Sequence, residues 1–144
     1  MNSQDDASFS SFRSPLLMNA DDTAIIVIDA QEKLMPLIQN QDQIQCNIIK
    51  LLRGAKALGV ISAATEQYPR GLGATVEPIR NELEHNEFFP IAEKTMFSVR
   101  QCEPLLTKLS KSGVQNFLLC GIETHICIAQ SALDLMSLGF RTFI

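Results

Sequence analysis

No CxxC pair, finger-type ligand spacing or pair of histidines at metal-ligand distance occurs in this chain of 144 residues, although it holds four cysteines and two histidines. Zinc-finger chemistry and a disulfide framework are therefore not expected, and reduced thiols are the default. A cluster of lysines and arginines is missing too. The 12 basic and 16 acidic residues are scattered and leave a net charge of −4, which argues against binding the phosphate backbone of nucleic acid. No apolar run reaches the length of a membrane span, and the first residues lack the basic and apolar regions of a secretory signal. A cytoplasmic protein without a membrane partner is expected. The glycines form no GxGxxG opening a helix, so no dinucleotide fingerprint is present. Internal repeats are also absent.

What the chain has is apolar content. Hydrophobic residues make up 46% of it, enough for one substantial core. Residues 1–19, rich in Ser, Asn and Asp, read as a flexible arm, and residues 20–144 as one domain. Within that domain the β-branched run Thr23-Ala24-Ile25-Ile26-Val27-Ile28 fits a central strand buried on both faces. Ile44, Ile48, Leu51, Leu52, Ala55 and Leu58 mark one face of a helix over 41–58, with Asn40 and Gln43 resembling a capping box. Residues 60–65 read as a second buried strand that runs into a loop over 66–73. A further helix spans 102–111, Pro104 near its start.

The stretch Phe117-Leu118-Leu119-Cys120-Gly121-Ile122-Glu123-Thr124-His125-Ile126-Cys127-Ile128 reads as a buried strand, a sharp bend at Gly121 and a helix over 126–138. Cys127 then lies near a helix start, where unpaired N–H groups favour a thiolate. It is either a nucleophile or a small core hydrophobe, since Ile126, Ile128, Ala129 and Ala132 surround it. Asp29, at the carboxyl end of the first strand, is either an acid/base or a turn cap. Tyr68 and Arg70 are placed to wall a pocket, or only to form a surface turn. Lys94 is an ordinary solvated lysine unless a carboxylate meets it. His85 sits among acids and reads as exposed.

Strands alternating with helices predict an α/β fold with three α-β-α layers, Rossmann-like, around a mostly parallel sheet wound by right-handed crossovers. Asp29, Glu66, Lys94 and Cys127 all follow strand-like segments, so four candidates converge on one sheet edge.

Three ordered motifs resemble the isochorismatase-like cysteine hydrolase superfamily. They are Ile25-Ile26-Val27-Ile28-Asp29-Ala30-Gln31, Glu93-Lys94-Thr95-Met96-Phe97-Ser98, and Cys120 to Ile128. Thr65-Glu66-Gln67-Tyr68-Pro69-Arg70-Gly71-Leu72-Gly73 resembles the branch called isochorismatase domain-containing proteins. The resemblance implies a triad of Asp29, Lys94 and Cys127, hydrolysing a small amide, carbamoyl or related C–N substrate through a thioester. It also implies an oxyanion hole from the N–H groups of Glu123 and Cys127, with a cis peptide before Glu123, and substrate contacts from Gln31, Glu66, Tyr68, Arg70, Phe97 and His125. Family members commonly form oligomers, so a homo-oligomer is expected.

Two departures qualify the resemblance. Glu66-Gln67-Tyr68 stands where nicotinamidases carry metal ligands, so no metal and no cofactor are expected. The chain also ends at Ile144, whereas the family continues through another strand and helix, which implies an apparently shortened C-terminus. The alternative to an enzyme is a catalytically silent subunit, with Leu133, Leu135, Met136 and Leu138 contributing to an interface.

Overall fold

Five parallel strands in the order β3-β2-β1-β4-β5 form the centre of the molecule. The computed structural model describes residues 14–84 and 91–144; His85 and most of the predicted arm lie outside the described residues. The strands are β1 (Thr23–Ile28), β2 (Ile61–Gln67), β3 (Ile91–Lys94), β4 (Asn116–Gly121) and β5 (Arg141–Phe143). Helices α1 (Gln41–Ala57), α2 (Pro69–Leu72), α3 (Glu77–Glu84), α4 (Glu103–Lys111) and α5 (Ala129–Ser137) connect and cover them. This is the expected three-layer α/β architecture, and among the described residues the sheet is entirely parallel. No helix among them is long and apolar enough to cross a membrane.

β1 explains why the sheet forms. Every one of its residues is buried, which only a strand with helices on both faces can satisfy. Its side chains alternate between two cores. Ala24, Ile26 and Ile28 pack with Phe117, Leu119, Leu109 and Leu135 on one face, and Ile25 and Val27 pack with Ile48, Leu52, Ile79 and Leu83 on the other. Each fully buried Ile, Leu or Phe contributes roughly 1.5–3 kcal/mol.

The strand order reverses beside β1, between β2 on one side and β4 on the other. Such a reversal opens a crevice at the carboxyl ends of the strands. Gly121 allows the approach there, because a Cβ at that position would run into the Ile28 carbonyl oxygen.

Several local expectations are corrected. Asn40 is left-handed, at φ 60°, and forms no side-chain cap; Gln43 donates instead to Asn47, so the capping box is not made. β2 continues two residues further than predicted, because Glu66 and Gln67 pair with Glu93 and Lys94 of β3. After β4 the chain does not enter an α-helix directly. Thr124–Ile128 forms a π-turn, with Ile128 N–H donating to the Glu123 carbonyl, and regular α5 begins only at Ala129. α3 was not legible in the sequence, and Leu135, expected at an interface, is fully buried in the core.

Candidate active site

Asp29 leaves β1 with φ 54°, in the left-handed region that Asp tolerates better than most residues. Its N–H donates to the Thr65 carbonyl, and its own carbonyl accepts from Gln31 N–H. This tight turn holds the carboxylate at the crevice and keeps it wholly out of water. Lys94 ends β3, and its Nζ lies 2.6 Å from Asp29 Oδ2, with both side chains fully buried. A buried cation and anion in this position are mutually obligatory, since removing either strands the other at a cost of about 3–5 kcal/mol.

β2, between β1 and β3, completes the network. Side chains two apart on a strand share a face, so Thr65 and Gln67 point to the same side and Glu66 to the other. Thr65 Oγ1 donates to Asp29 Oδ1 at 2.8 Å, and Lys94 Nζ donates to Gln67 Oε1 at 2.9 Å. Glu66 is turned elsewhere: its Oε1 accepts from Thr75 N–H at 2.7 Å and lies 3.9 Å from Arg80.

Cys127 enters from the π-turn after β4 and is 5% exposed. Its thiol is close enough to Asp29 and Lys94 to be influenced by both. Burial pushes it up to about 12; the hydrogen bond to Asp29 and the negative charge of Asp29 add to this, and Lys94 opposes it. The expectation of a readily ionised thiol is thus corrected, because desolvation outweighs proximity to a helix start. At neutral pH the resting group is a thiol with a carboxylate beside it. Burial also raises Cys120 to about 12 and Cys102 to about 11, while Cys46 is exposed.

The remaining predicted residues divide. Gln31 is fully buried, and its amide is taken up by backbone: Nε2 donates to the carbonyls of Gln67 and Gly73, and Oε1 accepts from Gln67 N–H. Tyr68 and Arg70 are exposed and, with Pro69, Glu93, Lys94, Thr95 and Gln101, line a cavity of ≈ 320 Å³. Phe97 is half exposed, and His125 is largely exposed with Nδ1 3.6 Å from Glu123 Oε2. No cis peptide occurs among the described residues, so the bond before Glu123 is trans and that expectation is corrected. No group of three metal-ligating side chains occurs among them either. Thr65 and Gln67 were missed by sequence reasoning. Their signal was the alternation of β2, which would have been usable had the strand been extended to Gln67.

The isochorismatase domain model matches residues 23–144. Isochorismatase domain-containing protein 1 of Salmo salar is 37% identical over 119 residues, covering 83% of this chain and 41% of its own length. A solved structure titled MAR1 ribonuclease, from Caenorhabditis elegans, has TM-score 0.78 and 37% identity over 87% of this chain and 62% of that one. The YcaC product of Escherichia coli, described as an octameric hydrolase of unknown specificity, superposes with TM-score 0.79 at 21% identity, covering 92% of this chain and 65% of that one, and shows the fold alone. The chain thus spans less than two thirds of the length of these relatives.

Proposed function

The chain belongs to the isochorismatase family of hydrolases, and from that premise we propose that it is a cysteine hydrolase of small amide, carbamoyl or related C–N substrates. Asp29, Lys94 and Cys127 carry the reaction. The observation behind this reading is the fully buried Asp29–Lys94 pair with the buried Cys127 thiol close enough to feel both charges. A neutral thiol beside a carboxylate suits general-base catalysis, in which ionisation and attack occur together.

As the Cys127 sulfur bonds to the substrate carbonyl carbon, its proton passes to Asp29 and the carbonyl π pair moves to oxygen. The donors to that oxyanion in this reading are the N–H groups of Glu123 and Cys127, which the family resemblance implies and which the trans bond before Glu123 requires to turn toward the substrate as it binds. Collapse breaks the C–N bond, and Asp29 returns the proton to the departing amine. Water then attacks the thioester, giving its proton to Asp29, and the acid leaves as Cys127 recovers its proton. Lys94 holds Asp29 in place and offsets negative charge at the sulfur. Gln31 and Glu66 serve by fixing backbone around the site, while Tyr68, Arg70, Phe97 and His125 are the exposed side chains left to meet a small-molecule substrate. The mechanism uses no metal or cofactor.

The exposed Leu133, Met136 and Leu138 belong, in this reading, to a homo-oligomer interface, which light scattering after size exclusion tests. For the chemistry, ammonia release is assayed over a panel of primary amides and carbamoyl compounds, with RNA as a parallel substrate. Turnover of an amide that vanishes in Cys127→Ala, with a mass adduct on Cys127, is the expected result. Turnover that survives Cys127→Ala refutes the triad. RNA cleavage without amide turnover would move the chain to the activity named for the nematode protein, and a defined oligomer inert to every substrate would favour the silent-subunit reading.

A further inference from the structure

We propose that Gln67 is a positioning residue for the reaction, acting through Lys94 and tying its ammonium group to the segment that carries Tyr68 and Arg70 at the start of α2. This rests on the triad reading above and assigns a new member to the same site. An ammonium group offers three donors and no acceptor. Buried as it is, Lys94 needs more than Asp29 to satisfy them. Gln67 Oε1 supplies the second acceptor at 2.9 Å, beside Asp29 Oδ2 at 2.6 Å.

The geometry around Gln67 is fixed at every other polar atom. Its Nε2 donates to the Thr95 carbonyl at 2.8 Å, which sets the side-chain amide so that Oε1 must face Lys94. Its backbone N–H and carbonyl are both bonded to the buried Gln31 amide, at 2.8 and 3.0 Å. Gln31 also holds the Gly73 carbonyl at 2.7 Å, so one side chain clamps the start and end of the 67–73 segment. The acceptor for Lys94 and the short helix α2 with Tyr68 and Arg70 are therefore set by the same clamp. Without Gln67, the ammonium has only the carboxylate to bond. It is then drawn wholly onto Asp29 and away from the Cys127 sulfur, whose thiolate loses the support of that positive charge.

A double-mutant cycle on the full chain tests this, with the iodoacetamide labelling rate of Cys127 read by peptide mass and exposed Cys46 as internal reference. Gln67→Met, which keeps the shape and removes the acceptor, is expected to slow labelling by about ten-fold across the pH range, the loss of one hydrogen bond to a charged group. Lys94→Gln should slow it at least as much. The decisive result is the double variant, which should label no more slowly than Lys94→Gln alone, because Gln67 works through Lys94.

Additive effects, or faster labelling in Gln67→Met, which loosening of the buried thiol would produce, overturn the proposal while leaving the triad intact. A Lys94→Gln variant that labels at the wild-type rate refutes the triad, and the role of Gln67 falls with it. Where Gln67→Met does not fold, Gln67→Asn, one methylene too short to reach Nζ, repeats the cycle.

Discussion

Replacing Asp29 by asparagine separates ionisation of Cys127 from its use. Of the causes that raise the Cys127 thiol to about 12, two belong to Asp29, namely the hydrogen bond and the negative charge, and each exceeds the opposing effect of Lys94. Asp29→Asn would remove both. Even if the stranded Lys94 gave up its charge at the same time, the net change at the sulfur is downward, because the larger influences vanish. A fall of about one unit gives about ten-fold faster labelling by iodoacetamide at a fixed pH below the midpoint. Turnover should move the other way, by about 10²–10⁴-fold, since no group is left to take and return the proton. The variant also loses a fully buried ion pair at a cost of about 3–5 kcal/mol. That is a large share of the ~5–15 kcal/mol that stabilises a domain, so both assays belong at low temperature on protein shown by circular dichroism to be folded. The Thr65 hydroxyl keeps an oxygen acceptor in the substituted amide, which limits collateral movement. Slower labelling together with lost turnover, in a folded variant, would refute the reasoning, because it would mean that Asp29 promotes the thiolate instead of restraining it.

Cys127→Ala should abolish turnover while leaving the melting temperature within a few degrees of wild type, since the thiol packs as a small hydrophobe; calorimetry checks the second half. Gly121→Ala should destabilise by about 1–3 kcal/mol through overlap with the Ile28 carbonyl and pull β4 from β1 next to Asp29, read as a lower urea midpoint and a fall in turnover. Alkaline pH should destabilise the fold through its raised thiols. Below the ordinary thiol value of 9.0 both states are protonated and this stability is fully present; between there and about 11–12 the unfolded chain releases protons that Cys102, Cys120 and Cys127 retain, so stability declines. Urea titrations at stepped pH should show the decline, and it should be shallower in Cys120→Ala.

The fold was legible because β1 and β4 carry uninterrupted apolar runs, and a strand apolar on both sides has few places to go but the middle of a parallel sheet. The short edge strand β3 was legible only as a strand-like segment before Lys94, and α3 was not legible, because tertiary packing decides the state of such short elements. At the site, motif resemblance singled out Asp29, Lys94 and Cys127 as a group. Their electrostatics were not readable. Position near a helix start pointed to an easily ionised thiol, whereas the degree of burial, a property of the folded whole, reversed the sign. Gln31 and Glu66 sit in the right motifs, yet only coordinates reveal that their polar atoms are committed to backbone. The same holds for Gln67, whose role depends on which way a strand residue faces.

The strand order has a kinetic consequence. Asp29 leaves a central strand, but its cation stands on β3, at the margin of the sheet, 65 positions further along the chain. Margins of a sheet open at lower free energy than its centre. A transient release of β3 carries Lys94 away while the central strands β1, β2 and β4 stay closed. Heating should therefore silence the chemistry some degrees before the ellipticity of the protein declines, with recovery on cooling as fast as one short strand can re-anneal.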